Sequence, residues 1–344
     1  MYHDYRSKSL TQLTNQFLDL LSRNLPENPF QKNWIIVQNR EMEQWLSLNM
    51  AKRNKISANN EFILPSEFIW KLYRTKDSDL DTNLPSDIIP LQWSVFELIQ
   101  IDTKLHNILF RGKESNSKII LQLSRSIADV FDLYQVFRPE MLKKWESDNF
   151  TYKDNHEYWQ ASLWNKLNKK WNKKESVSTR VEAFDQLKNW IKKDDFPVNK
   201  IPESIWVFNI PQASEPFSEI IALVSNKIEC HNFDFVLEHQ DQGQDSDVAL
   251  FSKKLLSASL NKESVLKKSF QKHHTEIKTV LDSTLSHPKE SKLAQTQNLL
   301  SGKAVSDKVI SDQSITIHSC HSKKREVEVL KDSILDAMNF NKEL

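Results

Sequence analysis

The chain has 344 residues with 39% hydrophobic content, a formal net charge of +1 and only 3 glycines. That size supports a large core and two or three domains, while the near-neutral charge provides no global field that would draw the chain to nucleic acid or membrane. No apolar run approaches a membrane span or the layout of a signal peptide, and the scarcity of glycine argues against a glycine-loop cofactor site and favours a helix-rich chain.

The N-terminal part alternates between strand and helix patterns. Residues 2–5 predict a short edge strand, and the apolar spacing from Ser9 onward predicts a helix that Pro26 ends. The four apolar residues 34–37 are typical of a short buried strand. The first part of the chain therefore begins like an α/β protein.

A turn and a helix follow the strand at residues 34–37. Asn39 is a good N-cap, and apolar residues recur at i, i+3 and i+4 in the helix after it, at Met42, Trp45 and Leu46. Nucleotide-binding α/β sheets are built from such strand–turn–helix units. This turn nevertheless lacks the glycines and the Lys-Ser/Thr pair that would wrap a phosphate.

The next segments lead away from the early strands. Residues 56–64 look extended, and Ser66 is expected to cap a helix that carries Trp70 on a different side from its apolar residues. Residues 77–90 contain acids and two prolines, which is typical of a linker. Helical patterns then continue almost to Phe196, and we interpret them as an all-helical insertion. The helices of this region are expected near residues 91–99, 119–136, 156–170 and 179–193.

Strand–helix alternation resumes after the helical region. Residues 205–210 and 228–237 predict strands on either side of a helix at 216–224, whereas residues 240–310 are polar and show no dependable pattern beyond short helices. The sequence therefore predicts a parallel α/β sheet with a helical domain inserted between its early and late strands.

A last strand–helix unit is predicted at the end of the sequence. It consists of a strand at residues 314–320 and an amphipathic helix at 324–338. Because such a unit has little left to pair with, we expect a truncated chain or a gene fragment.

Catalytic and metal sites are not evident in the sequence. His273 and His274 stand in a polar stretch and fit surface histidines, while His318 alternates with Cys320 on the expected strand, where a structural role outweighs a metal role. Cys230 and Cys320 match no metal spacing and suit a reducing cytosolic setting. No nucleophile elbow, Cys/His pair with a supporting acid or carboxylate dyad stands out.

Two polar patterns leave alternatives open. Lysines and arginines alternate with tryptophans between Lys166 and Lys193, which would suit phosphates and unpaired bases but equally a solvated face with tryptophans turned inward. A second stripe runs opposite the apolar face of the helix near residue 127, and it is either an exposed ion-paired face or a reader of base edges. Its members are Gln122, Arg125, Asp129 and Asp132.

Several blocks occur in an order that resembles the RecC family, the gamma subunits of exodeoxyribonuclease V. They begin with Val-Gln-Asn-Arg-Glu-Met-Glu-Gln-Trp-Leu at 37–46 and Leu-Pro-Ser-x-Phe-Ile-Trp at 64–70. The later blocks are Leu-Gln-Leu-Ser from 121, Ala-Asp-Val-Phe-Asp-x-Tyr from 128, Phe-Arg-Pro at 137–139, Trp-Gln-Ala-x-Leu-Trp at 159–164 and Ser-Ile-Thr-Ile-His-Ser-Cys-His-Ser from 314. Matches that are this long and collinear are specific, although the resemblance is weak across residues 231–310.

The resemblance implies an inactive superfamily-1 helicase-like fold, a P-loop-type parallel sheet without a Walker A motif, which agrees with the glycine-free turn. It divides the chain into four regions. Residues 1–84 would begin a helicase-like α/β domain, 85–200 would form its helical insertion, 201–312 would complete it with a polar variable segment, and 313–344 would start a second, truncated helicase-like domain.

The resemblance also implies a function. The family's subunits hold the unwound single strand and scan it for the recombination hotspot Chi during double-strand-break repair, without catalysing a reaction themselves. The implied partners are single-stranded and duplex DNA, a RecB-like helicase–nuclease subunit and a RecD-like helicase subunit. ATP and Mg would be bound by those partners and no cofactor by this chain, in the cytoplasm of a bacterium and with no membrane partner.

The DNA-contacting residues implied by position are spread over three parts of the sequence. They are Gln38, Arg40, Gln44, Leu64, Trp70, Asp129, Val130, Asp132, Leu133, Arg138 and Arg180. The sequence departs from the family pattern at Arg40, where a small hydroxyl residue is usual, at Val130 and Leu133, and at Asn209, where a glycine is usual. Two other functions stay open at this point: an active ATPase with an unorthodox nucleotide loop, and a purely architectural module.

Overall fold

The computed structural model describes residues 1–76, 84–113, 115–171, 179–211, 213–235, 277–282, 291–300 and 312–340, with Ser269 and Lys272, apart from positions 8, 25, 27 and 29. The chain divides into two compact units. The first comprises Met1–Val236 and Lys262–Ser283, and the second comprises Leu237–Asn261 and Thr284–Leu344.

In the described residues of the first unit, six parallel strands form one sheet. Its strands are β1 (Tyr2–Ser7), β2 (Asn33–Val37), β3 (Asn60–Ile63), β4 (Ser204–Phe208), β5 (Glu229–Phe235) and β6 (Ile277–Asp282). They lie in the order β3-β2-β4-β5-β1-β6. The parallel sheet is as predicted, but β1 is not the expected edge strand, because it pairs with both β5 and β6.

Within the first unit, helices pack on both faces of the sheet and form a separate helical region, and two further helices among the described residues belong to the second unit. In order they are α1 (Leu10–Arg23), α2 (Arg40–Asn54), α3 (Pro65–Arg74), α4 (Ile88–Ile101), α5 (Thr103–Phe110), α6 (Ser117–Phe137), α7 (Pro139–Glu146), α8 (Asn155–Trp171), α9 (Arg180–Ile191), α10 (Glu215–Ser225), α11 (Lys292–Leu300) and α12 (Lys323–Phe340). The bounds of α6, α8, α9 and α10 agree closely with the sequence predictions, and α2 begins after its predicted cap Asn39.

The sheet is buried on both faces, which explains why its strands read as continuous apolar runs. Successive residues of β2 point to opposite faces. Ile35 and Val37 pack with α1 and α2, whereas Trp34 and Ile36 pack with α3, α9 and α10. The strands nearest the candidate contacts are therefore held by a core on each side.

The helices from α4 to α8 have a core of their own, which is centred on Phe131, Trp145 and Trp164. These three side chains are at most 1% exposed. The last helix of the predicted insertion behaves differently, because α9 packs against α3 and α10 and contributes Phe184 and Leu187 to the core beneath the sheet. α9 thus joins the helical region to the α/β part.

Two local predictions were wrong. Ser66 does not cap α3: the N-cap is Leu64, Pro65 is the first helical residue, and the Glu67 carboxylate accepts the Leu64 N–H at 2.9 Å. Proline suits that position because its missing N–H would have no intrahelical partner there. Residues 314–320 form no strand in the part of the chain that the structure describes, and Ile317 is 91% exposed.

Other features were missing from the predictions or cannot be compared. No strand was predicted where β6 lies, whereas α11 is a short helix of the kind expected in the polar stretch. The predicted helix α12 is present, and most of its apolar side chains are more than 45% exposed: Val327, Leu330, Ile334, Leu335 and Met338. His273 and His274, Lys173 and Lys174 lie outside the described residues, and the four-region division stays a prediction. None of the helices described is both long and apolar enough to cross a membrane.

Candidate functional site

The ends of β2 and β3 place the first group of expected contacts at one edge of the sheet. The two strands are parallel neighbours, with Ile36 beside Ile63. Gln38 follows β2 and is exposed, and Leu64 follows β3 and is half-buried. Because the carboxyl ends of parallel strands meet at one edge, these two residues lie at the edge where α/β proteins bind their ligands.

The turn after β2 is organised by side chains rather than by glycine. The Asn39 Oδ1 accepts the Met42 N–H at 2.9 Å, which confirms the predicted cap. Arg40 starts α2, and its guanidinium lies 2.7 Å from Glu43 and 3.2 Å from Glu67 of α3. Gln44 is exposed and one helical turn further, so it shares the face of α2 that carries Arg40.

The neighbouring strand β4 ends in an unusual backbone conformation. Asn209 has φ of +49°, in the left-handed region that glycine adopts most easily. Asparagine is among the few other residues that tolerate this region. The same residue donates its N–H to the Phe233 carbonyl of β5 at 2.7 Å. An asparagine can therefore stand where the resembling family usually has a glycine.

Trp70 lies in the middle of α3 and is half-buried. Its ring centroid is 5.7 Å from that of Tyr73 and 5.7 Å from that of Phe184 on α9. The indole therefore packs on the core with part of its surface and leaves the rest to solvent. Its contact with Phe184 connects the first group of residues to α9.

Arg180, at the start of α9, is held between two carboxylates. Its Nε and Nη2 donate to Asp87 Oδ1 at 3.1 and 2.9 Å, and its Nη1 lies 2.8 Å from Asp132 Oδ1 on α6. Burial raises the pKa of the Asp132 carboxyl, against the opposing effect of Arg180. With every guanidinium nitrogen engaged, Arg180 serves to hold α6, α9 and the segment before α4 together.

The outer face of α6 combines ion-paired and apolar side chains. Arg125 and Asp129 form an i, i+4 pair at 3.0 Å with both side chains about half exposed, as one of the two sequence interpretations expected. Val130 and Leu133 are 39% and 53% exposed. Arg138 follows the helix, and its guanidinium carbon lies 5.8 Å from the Tyr134 ring centroid, within cation–π range.

The expected contacts thus fall into two groups joined by α9. One group, at the sheet edge and on α2, contains Gln38, Arg40, Gln44 and Leu64; the other, on and around α6, contains Asp129, Val130, Asp132, Leu133, Arg138 and Arg180. Trp70 contacts Phe184 of α9 and so connects the two groups.

The sequence did not indicate that the carboxylates of Glu67 and Asp87 bind Arg40 and Arg180. Only the position of Glu67 in the first turn of a helix could have indicated a role, because Asp87 lies 93 residues from Arg180.

The basic and aromatic stretch turns its tryptophans inward where it is described. Trp171 is 8% exposed, and Trp190 is half-buried and packs edge-on against the buried Phe196 at 4.9 Å. Lys166 pairs with Asp102, Lys170 with Glu97, and Lys188 with Asp185 and Glu219. These contacts favour the interpretation of this stretch as a solvated face with a buried tryptophan side. The described residues also contain no group of three or more His, Cys, Asp or Glu side chains that could hold a metal ion.

The family model and the similar proteins that match this chain all point to one family. The model of the RecC N-terminal domain matches residues 3–303. The chain is similar to the RecBCD enzyme subunit RecC of Haemophilus influenzae, with 27% identity over 98% of the chain and 37% of that protein. The RecC subunit of Escherichia coli K12 matches at 29% identity over 48% of the chain and 15% of that protein, and that of Buchnera aphidicola from Acyrthosiphon pisum at 26% over 99% and 33%. The chain spans about a third of the length of the relatives that it matches along nearly all of its own length.

Proposed function

The chain belongs to the family of RecC N-terminal domains, and from this premise we propose that it holds the unwound single DNA strand within a RecBCD-type helicase–nuclease complex. In this proposal the chain catalyses no reaction. It scans the strand for the Chi signal during repair of double-strand breaks by homologous recombination. RecB-like and RecD-like subunits in the bacterial cytoplasm bind ATP and Mg, and the RecB-like subunit carries the nuclease.

The observation that carries the proposal is the chemistry of the sheet edge after β2 and β3. This is the ligand edge of a parallel sheet, yet it presents the exposed amides of Gln38 and Gln44 and the guanidinium of Arg40. Amides pair with base edges, and arginine pairs with phosphates or guanine. The turn contains no glycine with which to wrap a nucleotide phosphate, so a nucleic-acid strand suits the edge better than ATP.

The remaining residues divide into contacts and supports. Leu64 and the exposed part of Trp70 offer apolar surface to bases, and Arg138 offers a cation at the end of α6. Val130 and Leu133 give α6 an apolar outer surface between charged side chains, with Asp129 beside them. Asp132 and Arg180 are assigned a supporting role, because their ion pair fixes α6 relative to α9.

We expect single-stranded DNA binding to depend on the amides and on Arg40. Replacing Gln38 and Gln44 by Ala should weaken binding of a fluorescent single-stranded oligonucleotide by roughly tenfold, which corresponds to about 1.4 kcal/mol of lost base contact. Arg40→Ala should also lower the slope of log affinity against log salt by about one. The measurement is fluorescence anisotropy at several salt concentrations.

Arg53 provides the matched control. It is also exposed and ion-paired, with Asp19, but it lies in the last turn of α2, at the opposite end from Arg40. Arg53→Ala should leave the affinity unchanged. Equal losses of DNA affinity for Arg40→Ala and Arg53→Ala would show that only non-specific charge matters. That result would contradict the assignment of this sheet edge as the DNA-binding site.

The assembled complex provides the functional test. There, Trp70→Ala and Arg138→Ala should abolish Chi-dependent control of nuclease activity while DNA unwinding continues. Retention of Chi control in both variants would contradict the proposed DNA contacts of Trp70 and Arg138.

The engaged arginines favour a second candidate, a purely architectural module. Arg40 and Arg180 each bridge two carboxylates. Such bridges stabilise the fold, which is all that a module with a purely supporting role needs from these arginines. In that case the Gln38 and Gln44 variants would bind DNA as well as the unmodified chain does, and Arg40→Ala would change only the thermal stability. The two candidates are therefore separated by the same titrations.

A further inference from the structure

A cavity opens on the surface of the helical region, between α6 and α8. Its volume is about 330 Å³, at the lower end of the range for small-molecule sites. The side chains that line it include Ser126, Val130, Phe131, Tyr134, Trp159 and Gln160. Of these only Val130 belongs to the expected contacts, so the part contributed by α8 has no role in the proposed function.

The aromatic side chains of this α6–α8 cavity are supported from behind. Phe131 is 1% exposed and packs edge-on against Trp164 at 5.5 Å. Tyr134 packs edge-on against the buried Trp145 at 5.9 Å. Tyr134 and Trp159 are themselves half-buried, and no ring contact joins Trp159 to another aromatic side chain among the described residues. The cavity therefore has a fixed floor and an indole whose ring is not stacked on a neighbour.

The polar groups of the α6–α8 cavity are also fixed. Gln160 Oε1 accepts a hydrogen bond from the Tyr134 hydroxyl at 3.1 Å, and Gln160 Nε2 donates to the His156 carbonyl at 3.0 Å. These two bonds hold the amide in one orientation, and each amide atom keeps capacity for one more hydrogen bond. A preorganised amide beside an aromatic wall is the arrangement that recognises a planar, hydrogen-bonding ring.

We infer that the α6–α8 cavity receives one unstacked nucleobase of the bound single strand, with Trp159 and Tyr134 as the stacking surfaces and Gln160 as the group that reads the base edge. This inference rests on the proposed function. It adds α8 to the interface and makes Trp159 and Gln160 determinants of base binding.

Continuity with α6 favours a base over a side chain of a protein partner. Val130 lines the cavity and is 39% exposed beside Leu133 on the outer face of the same helix. The Arg138 guanidinium lies against the Tyr134 ring, at the end of α6, where it can hold the phosphate of the nucleotide whose base enters the cavity. A single-stranded DNA that runs along α6 therefore meets both a cation and an aromatic cavity along the length of that helix.

The test compares two single-stranded oligonucleotides of equal length in fluorescence anisotropy titrations of the full chain. One carries thymine bases throughout, and the other carries abasic sites. Trp159→Leu should weaken binding of the base-bearing strand by roughly tenfold, the loss of one stacked base, and leave binding of the abasic strand unchanged. Trp159→Phe should restore most of the difference, because a phenyl ring still stacks.

Two further variants complete the design. Gln160→Ala should change the ratio of affinities for strands of different base composition, with no effect on the abasic strand. Trp93→Leu is the matched control, since Trp93 is a 55% exposed tryptophan of α4 that does not line the cavity. It should bind both strands like the unmodified chain.

The outcomes separate this inference from the proposed function. If the unmodified chain binds DNA and Trp159→Leu weakens the base-bearing and abasic strands equally, the inference is overturned while the proposed function stands. If neither strand binds the unmodified chain at all, the proposed function fails and the inference fails with it. A Trp159→Leu variant that keeps full DNA affinity but no longer assembles with its partner subunits would assign the cavity to a protein contact and overturn the inference.

Discussion

The side chain of Glu157 shows how one buried carboxylate organises a loop. The residue is 4% exposed, and its two oxygens accept the Trp145 indole N–H and the backbone N–H groups of Thr151, Tyr152 and Lys153 at 2.6 to 2.9 Å. Burial by itself raises the pKa of the Glu157 carboxyl, but the four hydrogen bonds outweigh it and lower the pKa to about 2. The ionised form is therefore part of the folded structure.

We expect Glu157→Gln to destabilise the chain by roughly 2–3 kcal/mol, because one oxygen becomes an N–H donor that faces other donors. Chemical denaturation at pH 7 measures the loss. The contribution of Glu157 is complete above its ordinary pKa of 4.5 and disappears as pH falls toward about 2, so the variant and the unmodified chain should converge in that range. Glu97→Gln is the control: this exposed partner of Lys170 should change stability by less than about 0.5 kcal/mol.

At the scale of elements, α9 determines how the helical region meets the α/β part. Its first residue, Arg180, binds Asp87 before α4 and Asp132 on α6, and its backbone N–H donates to Gln135 at 3.1 Å. The same helix buries Phe184 against Trp70 of α3. One helix therefore joins both groups of expected DNA contacts, and Arg180 contributes more to the fold than its place in a basic stretch of the sequence suggested.

Replacing Arg180 by Met should destabilise the first unit by roughly 2 kcal/mol, since it leaves two largely buried carboxylates without their cation. Arg125→Met, on the exposed pair with Asp129, should change stability by less than about 0.5 kcal/mol. Thermal and denaturant unfolding of the two variants gives the comparison. Similar small effects in both would show that Arg180 is free to serve as a direct DNA contact.

At the scale of the whole first unit, β1 pairs the start of the chain with two strands from late in the sequence, β5 and β6. Its partner β5 carries His231, which is 3% exposed and stacks on Trp206 at 4.3 Å and on His3 at 4.8 Å. The Tyr5 hydroxyl lies 3.5 Å from one ring nitrogen and Glu229 lies 3.6 Å from the other. Burial, and after it the charges of His3 and the N-terminal amino group, lowers the pKa of His231 to about 4.

Acid should therefore weaken the sheet through His231. Its folded pKa lies below the ordinary value of 6.5, so the stability it contributes is present above pH 6.5 and is lost as pH falls toward about 4. Asp234 acts in the opposite direction, because burial raises the pKa of its carboxyl to about 6 and protonation favours the folded form. Unfolding between pH 7 and 5 should show a shallower loss in His231→Leu than in the unmodified chain, and equal slopes would contradict the assignment.

The local sequence alone was enough to predict those helices and strands whose residue patterns need no distant partner. The four apolar residues before Gln38 predicted β2 because a strand buried on both faces needs a continuous apolar run. Asn39 fixed the start of α2 because its side chain can satisfy a backbone N–H without any distant partner. The absence of glycine from the following turn was visible at once, and the order of the family blocks led to the RecC resemblance that the family match confirms.

Tertiary structure decided everything that depends on which distant residues meet. β1 proved to be an interior strand because Tyr2 pairs with Cys230 and Ile277, partners far along the chain that no local pattern indicates. The ion pairs of Arg180, an expected DNA contact, were not foreseen, because Asp87 and Asp132 converge on it from distant parts of the chain. The α6–α8 cavity likewise exists only because two helices bring Tyr134 and Gln160 together. Periodicity reports which face of an element is apolar, whereas pairing between elements depends on the path of the whole chain.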